Sequence, residues 1–326
     1  MILLNCSLVL IILSGAYCSD IKDKWINTDR ILTSYDKDGN ISTVIAQRWK
    51  DNFWQNQKKN NYAYDSEGNE AECLTLFWLN DNWQNEYLEK KIYDSNSRII
   101  SETKLKWINS KWVDTEKDTH SYKENPKSLE ITSFRNLESG WIETKKDYKF
   151  LDDYGNEIES WYKLRKSNYD EQNKLFYTDD WQKPLNRYIS ECDERGNVIK
   201  KEWQILKYGK WETVEITNYY FDSDDRVTSQ LLQKLKDNNF INVEKTDVIY
   251  NKNGKEKEIF CKWQNELWVN ENQHEFNYDE KGELYEMIFK EWKNNEFEDS
   301  FKTVYKYDER GNEIERIVTS YNFSTE

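Results

Sequence analysis

Short segments rich in Val, Ile, Thr, Tyr and Trp alternate along this chain with clusters of Asp, Asn and Gly. The apolar-rich segments run about nine residues, too short for helices and typical of strands. Helical periodicity is absent. Of the two prolines, Pro126 falls in a turn cluster and Pro184 in an irregular stretch, so neither interrupts a strand interior. Strands are predicted across 41–49, 54–64, 69–78, 83–93, 255–263 and 268–278.

The turn clusters are of two kinds. The first follows Tyr-Asp: YDKDGN at 35–40, YDSEGN at 64–69, YDSNSR at 93–98, YKENPK at 122–127 and LDDYGN at 151–156. CDERGN at 192–197, FDSDDR at 221–226, YNKNGK at 250–255, YDEKGE at 278–283 and YDERGN at 307–312 continue the series. Asp bonds backbone amides two residues on, and Gly supplies the positive φ that closes a hairpin. The second kind lies between paired aromatics, as in WKDNFW at 49–54, WLNDNW at 78–83, WINSKW at 107–112, WQNELW at 263–268 and WKNNEF at 292–297. There the middle four residues are expected to form the loop.

Counted on the Tyr-type residue, the step is 29 residues, with one step of 41 from 151 to 192 and one of 28. A fixed period of this length means an array of one supersecondary unit. Two strands and two turns per unit, joined without long connections, make an antiparallel meander of on the order of twenty strands. The expected fold is therefore all-β: tandem 29-residue two-stranded units in a long twisted meander, superhelical or partly rolled. Trp54 should then pack near Trp49 and Trp78 and far from Trp268.

The aromatics keep the same phase. Trp54 precedes Tyr64 by ten residues, as Trp83 precedes Tyr93 and Trp112 precedes Tyr122. An even spacing puts both on one strand face. The tryptophans should form a ladder at one margin of the sheet and the tyrosines one at the other. Such rows serve as glue between repeats or as a platform for stacked sugars, and their fidelity to the fold period favours glue. The strand middles are polar, as in QNQKKNN at 55–61, which suits a thin sheet better than a thick core.

Residues 1–18 carry no charge, and Ile2 to Leu13 is largely apolar before Ser14-Gly15-Ala16. That reads as a signal peptide, with 19–326 as a single tandem-repeat domain. The 61 acidic and 47 basic residues leave a net charge of −14. Phosphate backbones and anionic lipids are unfavourable partners for such a surface, and the charge suits solubility of a long sheet. Cys73, Cys192 and Cys261 sit at unrelated phases and form no disulfide framework. His120 and His274 lack partners at metal spacing. The DKDGN turn at 36–40 has calcium-loop character, but its sister turns lose the second Asp, so the common factor is the turn. No catalytic or cofactor fingerprint is present, and no catalytic, metal or cofactor residue is assigned.

The tandem YDxxGN turns, across 25–321, resemble the YD repeats of Rhs-type and teneurin-like surface proteins. That resemblance implies hairpins spiralling into a hollow shell, with toxin or adhesion modules attached. This chain differs in its regular Trp pairs and in lacking Gly-Arg-Leu after the turn. The Trp pairs also resemble the cell-wall choline- or glucan-binding repeats, whose units are shorter. Together these lead to the expectation of a non-enzymatic, secreted or surface-exposed scaffold or protein-binding module. The alternative is a glycan-binding module using Trp49, Trp54, Trp78, Trp83, Trp107 and Trp112, with Tyr169 and Tyr177 from the insertion at 164–182. The insertion reads either as an extra hairpin arm or as a projecting partner contact.

Overall fold

A computed structural model describes residues 25–137, 140–169 and 175–321; the proposed signal peptide at 1–18 lies outside them. The described residues form strands and turns only. The first half comprises β1 (Trp25–Tyr35), β2 (Ile41–Lys50), β3 (Phe53–Tyr64), β4 (Glu70–Leu79) and β5 (Asn82–Tyr93). It continues with β6 (Ile99–Ile108), β7 (Lys111–Glu124), β8 (Lys127–Leu137), β9 (Gly140–Leu151) and β10 (Glu157–Tyr169). After β11 (Leu175–Trp181) come β12 (Asn186–Cys192), β13 (Val198–Lys207), β14 (Lys210–Phe221), β15 (Val227–Lys236) and β16 (Asn239–Asn251). The last described strands are β17 (Gly254–Gln264), β18 (Leu267–Tyr278), β19 (Leu284–Lys293), β20 (Glu296–Tyr307) and β21 (Glu313–Tyr321). Each predicted strand is found within one residue of its expected bounds.

The meander is not open. β1 pairs antiparallel with β21 from Trp25–Tyr321 to Leu32–Glu315, closing a barrel of 20 strands. The superhelical or solenoid form is therefore corrected to a ring. The remaining strand, β11, pairs only with the outer end of β10, while β10 pairs with β12 below it. The 41-residue step is thus an extra hairpin arm.

Register explains why the sheet rolls up. Leu32 faces Ile45, which faces Lys59, 27 residues on, whereas the repeat-equivalent residue is 29 on. Each unit therefore slips two residues, and ten units accumulate a stagger of about 20 residues over 20 strands. With strand spacing near 4.8 Å and rise near 3.3 Å, that combination gives a tilt of about 35° and a backbone radius of about 19 Å. The seam repeats the contacts of the interior. Tyr64 Oη donates to Ile41 O at 2.8 Å and Tyr93 Oη to Glu70 O at 2.9 Å. Tyr35 Oη does the same to Glu313 O at 2.9 Å, from the first unit to the last.

One assumption about faces fails for an instructive reason. Trp54 pairs with Trp49 and Asn56 with Gln47, but Lys58 pairs with Ala46, leaving Gln57 as an extra residue. The same bulge recurs at Glu86, Thr115 and Thr144. One inserted residue reverses the parity of everything beyond it. Trp54 and Tyr64 therefore lie on opposite faces, not on one. Where the bulged residue is Thr, its hydroxyl caps a neighbouring carbonyl, as Thr115 Oγ1 does to Lys104 O at 2.9 Å.

The wall is one layer thick. Among the described residues no large side chain is fully buried. The ring is hollow, with a lumen roughly 25 Å across once side chains are allowed for. Following paired residues once round, from β1 through β2 onward, returns to β1 nearer its N-terminus. With the right-handed twist of sheets, this places the tryptophan face outside and the tyrosine face toward the lumen.

Candidate functional site

Each wall end is built by its own turn chemistry. At the tryptophan end the loop is two residues, not four: Asp51 and Asn52 take φ of 54° and 64°, and Lys50 pairs with Phe53. Two adjacent left-handed residues match the twist of the flanking strands. This brings Trp49 and Trp54 directly opposite, edge to face, with ring centroids 5.0 Å apart. Trp78 with Trp83 and Trp107 with Trp112 repeat the geometry at 4.9 Å, and Trp263 with Trp268 at 5.0 Å. All eight are half-buried. The expected ladder thus exists as discrete cross-strand pairs around one rim. Arg30 stacks over Trp54 at 4.8 Å while bonding Gln47 and Glu315; Arg187 repeats this over Trp211 at 4.6 Å with Gln204 and Glu159. The two clusters are 157 residues apart and flank the two joints between five-unit halves.

At the other end, Asp36 Oδ1 accepts from the amides of Asp38 and Asn40, and Oδ2 from the Asn40 side chain at 3.2 Å. Asp65, Asp193 and Asp308 repeat the pattern with Asn69, Asn197 and Asn312. The amide of Asn40 is the main reason the Asp36 carboxyl is held below the usual carboxylate range. For Asp65 the main cause is the Asn69 side chain. Both carboxylate oxygens are thus engaged in closing the turn, and among the described residues no cluster of metal-binding side chains occurs.

The lumen wall is divided. From β5 to β9 it is charged, and a cleft of about 250 Å³ is lined by Glu89, Lys91, Glu102, Lys104, Glu116 and Asp118. From β17 to β20 it is aromatic: Phe260 and Phe289 each lie 5.3 Å from the His274 ring, Phe276 lies 6.3 Å from it, and Phe301 continues the patch 6.2 Å beyond Phe289. The residue-by-residue reading missed this patch, because its Phe residues come one from each of four neighbouring strands. His274 Nδ1 is 3.5 Å from Glu258, and His120 Nε2 is 3.3 Å from Glu102 without a hydrogen-bond angle. Each histidine thus faces a carboxylate on the next strand, not a ligand set.

Tyr177 of the arm lines a second cleft, of about 430 Å³, with Arg165, Ser167 and lumen-facing Ser133, Arg135 and Lys145. The arm thus leans over the lumen mouth. Tyr169 ends β10 opposite Leu175; its side chain is outside the described set. Tyr177 and the tryptophans are not brought together, since the latter face outward. Cys73 and Cys261 are buried on β4 and β17, and Cys192 ends β12; all three are free thiols, and burial pushes their pKa values up.

The outer wall bears on the surroundings. A membrane barrel turns an apolar band outward. Here the outward mid-strand positions carry Arg187–Glu159 at 3.1 Å, Lys290–Glu275 at 2.8 Å and Arg30–Glu315 at 3.4 Å. These ion pairs suit water, not lipid.

No family model matches the chain, and no curated protein does. Solved structures align loosely. A Bacteroides fragilis protein of unknown function shares 12% identity over 38% of this chain and 89% of its own, with a TM-score of 0.31. A porin-like protein from Bacteroides uniformis shares 9% over 90% and 96%, at 0.31. A TcdB2-TccC3-Cdc42 structure shares 12% over 86% of this chain and 18% of its own, at 0.29. At such scores no property is carried over from any of them.

Proposed function

We propose that this protein is a non-enzymatic, exported binding module or scaffold that works outside the cell or at its surface, and that its lumen is the binding compartment. The observation that carries this reading is the hollow single-layer wall, which leaves the tyrosine face open to a ligand along its whole height. That face combines an aromatic sector around His274 with a charged sector at β5–β9, so it suits a protein segment with one apolar and one charged side. Likeness of the turns to YD repeats supports the same class.

The test is capture from extracellular or surface fractions with the purified barrel as bait, beside a Phe289→Asp variant. A partner bound by the former and lost by the latter is the expected result. Capture that is indifferent to Phe289→Asp would defeat the lumen assignment. A second reading, glycan binding by the outer rim, draws on the half-exposed Trp pairs. It predicts signals on a glycan array that Trp83→Ala removes.

A further inference from the structure

Charges of opposite sign alternate across the charged sector of the lumen wall, and the alternation breaks at one place. Along one row the side chains facing each other on β5, β6, β7 and β8 are Glu89, Lys104, Glu116 and Arg135. That row reads minus, plus, minus, plus, the arrangement that stabilises neighbouring strands. The next lumen-facing row is Lys91, Glu102, Asp118 and Ser133. It reads plus, minus, minus, neutral. Glu102 and Asp118 stand directly opposite each other, where like charges destabilise a sheet.

The cations around this pair are engaged elsewhere. Lys91 Nζ reaches away to Glu70 at 2.7 Å, and Lys104 Nζ lies 3.6 Å from Glu89 and 4.6 Å from the Tyr87 ring centre. Arg135 turns to Glu116 at 3.8 Å, and Lys145 on β9 to Asp147 at 2.7 Å. Among the described residues Asp118 has no hydrogen bond or ion pair. A different side chain supplies a second, independent sign of a missing group. His120 is only 10% exposed, and its Nε2 sits 3.3 Å from Glu102 Oε2 with no hydrogen-bond partner. Buried polar atoms are nearly always bonded, so an orphan aimed at a carboxylate marks a place that a further group completes. The place is open to the lumen: Glu102 and Asp118 line the cleft of about 250 Å³, and Asp118 also lines the one of about 430 Å³ beside Tyr177.

We propose that the notch between Glu102 and Asp118 binds an ammonium group, carried by a lysine side chain of the protein segment that occupies the lumen. This rests on the reading of the lumen as the binding compartment and gives its occupant a chemistry. An ammonium has three N–H donors and no acceptor. The notch answers with three acceptors: the two carboxylates in front and His120 Nε2 behind, with the imidazole proton on Nδ1. A positive charge there restores the alternation of signs and replaces a repulsive contact by charge-assisted hydrogen bonds. A guanidinium suits the notch less well, because its donors are fixed in one plane. A metal ion does not suit it either, since no three metal-binding side chains converge among the described residues. The net charge of −14 draws basic segments toward the protein in the first place. Because Asp118 lines both clefts, a segment anchored here by its lysine continues toward Tyr177.

The test is calorimetric titration of the full chain with tetralysine at physiological salt. Wild type should bind it, and Asp118→Asn should bind it about tenfold more weakly, as loss of one hydrogen bond between charged groups implies. Asp38→Asn removes the same charge from an exposed turn and should leave binding unchanged. Without ligand, Asp118→Asn should melt at or above the wild-type temperature, because it relieves the repulsion with Glu102; a purely structural Asp118 would lower it. Tetralysine binding indifferent to Asp118→Asn, an Asp118→Asn protein that melts below wild type, or spermidine bound more tightly than tetralysine would each overturn the proposal. The lumen reading fails separately. A partner captured by Asp118→Asn as by wild type, yet lost with Phe289→Asp, removes the ammonium notch and keeps the lumen as the binding compartment. Capture indifferent to Phe289→Asp, beside tetralysine binding that needs Asp118, keeps the notch and removes that reading.

Discussion

Trp83→Ala tests whether the aromatic pairs hold the wall together. Trp83 is half-buried and packs edge to face on Trp78 at 4.9 Å. Truncation removes roughly 100 Å² of buried apolar surface, worth about 2.5 kcal/mol at 25 cal/mol per Å². Loss of the aromatic pairing adds about 1 kcal/mol. The expected cost is therefore about 3.5 kcal/mol, toward the lower end for a buried aromatic, because the pair has solvent on one side. Phe240→Ala supplies the contrast: Phe240 is 37% exposed and faces Leu235 instead of a second ring, so it should cost about 1–2 kcal/mol. Chemical denaturation of both, with Trp78→Ala and the double variant, measures the terms separately. The Trp78–Trp83 coupling should be about 1 kcal/mol. A Trp83→Ala protein as stable as wild type, with no coupling to Trp78, would refute the structural role and leave the rim free for ligand binding.

Closure can be trapped directly. With Cys73, Cys192 and Cys261 replaced by Ser, Leu32→Cys and Glu315→Cys should cross-link on oxidation, because these positions face each other across the seam; an open array would leave them reduced, as mass spectrometry would show. Acid should loosen the Tyr-Asp rim. Asp36, Asp65, Asp94, Asp152, Asp193, Asp222 and Asp308 have lowered pKa values, chiefly through the amide or side chain of the residue four on. Their stabilisation is present above the unfolded value near 4 and lost as pH falls through the lowered folded values. Burial raises Tyr35, Tyr64, Tyr93 and Tyr307, so stability should also fall as pH climbs above about 10. A melting temperature flat from pH 7 to well below 4 would contradict the first claim. At a single turn, Gly39→Ala places a side chain at φ +90° and should cost about 1–2 kcal/mol by denaturation. Gly39→Ala unfolding as wild type does would remove the turn from the account.

Much of the fold was readable because it is local. The Asp and Gly of each Tyr-Asp turn, and the Asn and Asp between paired tryptophans, state where strands stop, and ten copies of the same statement leave little ambiguity. The candidate site was less legible. The Phe260, Phe276, Phe289 and Phe301 patch comes from four different strands, so no local window holds it. Tyr177 joins Ser133 and Lys145 only through the lean of the arm. The tryptophan pairs were visible as a spacing, but whether they face water, lipid or a core depends on the curvature of the whole sheet.

Two features illustrate the division. The 29-residue period, with its two turn chemistries, determined the strands, their antiparallel order and the discrete Trp pairs, since each depends on backbone preferences within a few residues. Closure and facing were decided by the tertiary structure. A two-residue slip per unit has no sequence mark of its own; summed over ten units it brings β21 beside β1, and hydrogen-bonding two edges that would otherwise be exposed is what favours the ring. The bulge at Gln57 and its counterparts is likewise unmarked, being filled by Gln, Glu, Thr, Val or Ser. Yet one extra residue per unit sends the tryptophans outward and the tyrosines into the lumen, because side-chain facing along a strand counts residues by twos.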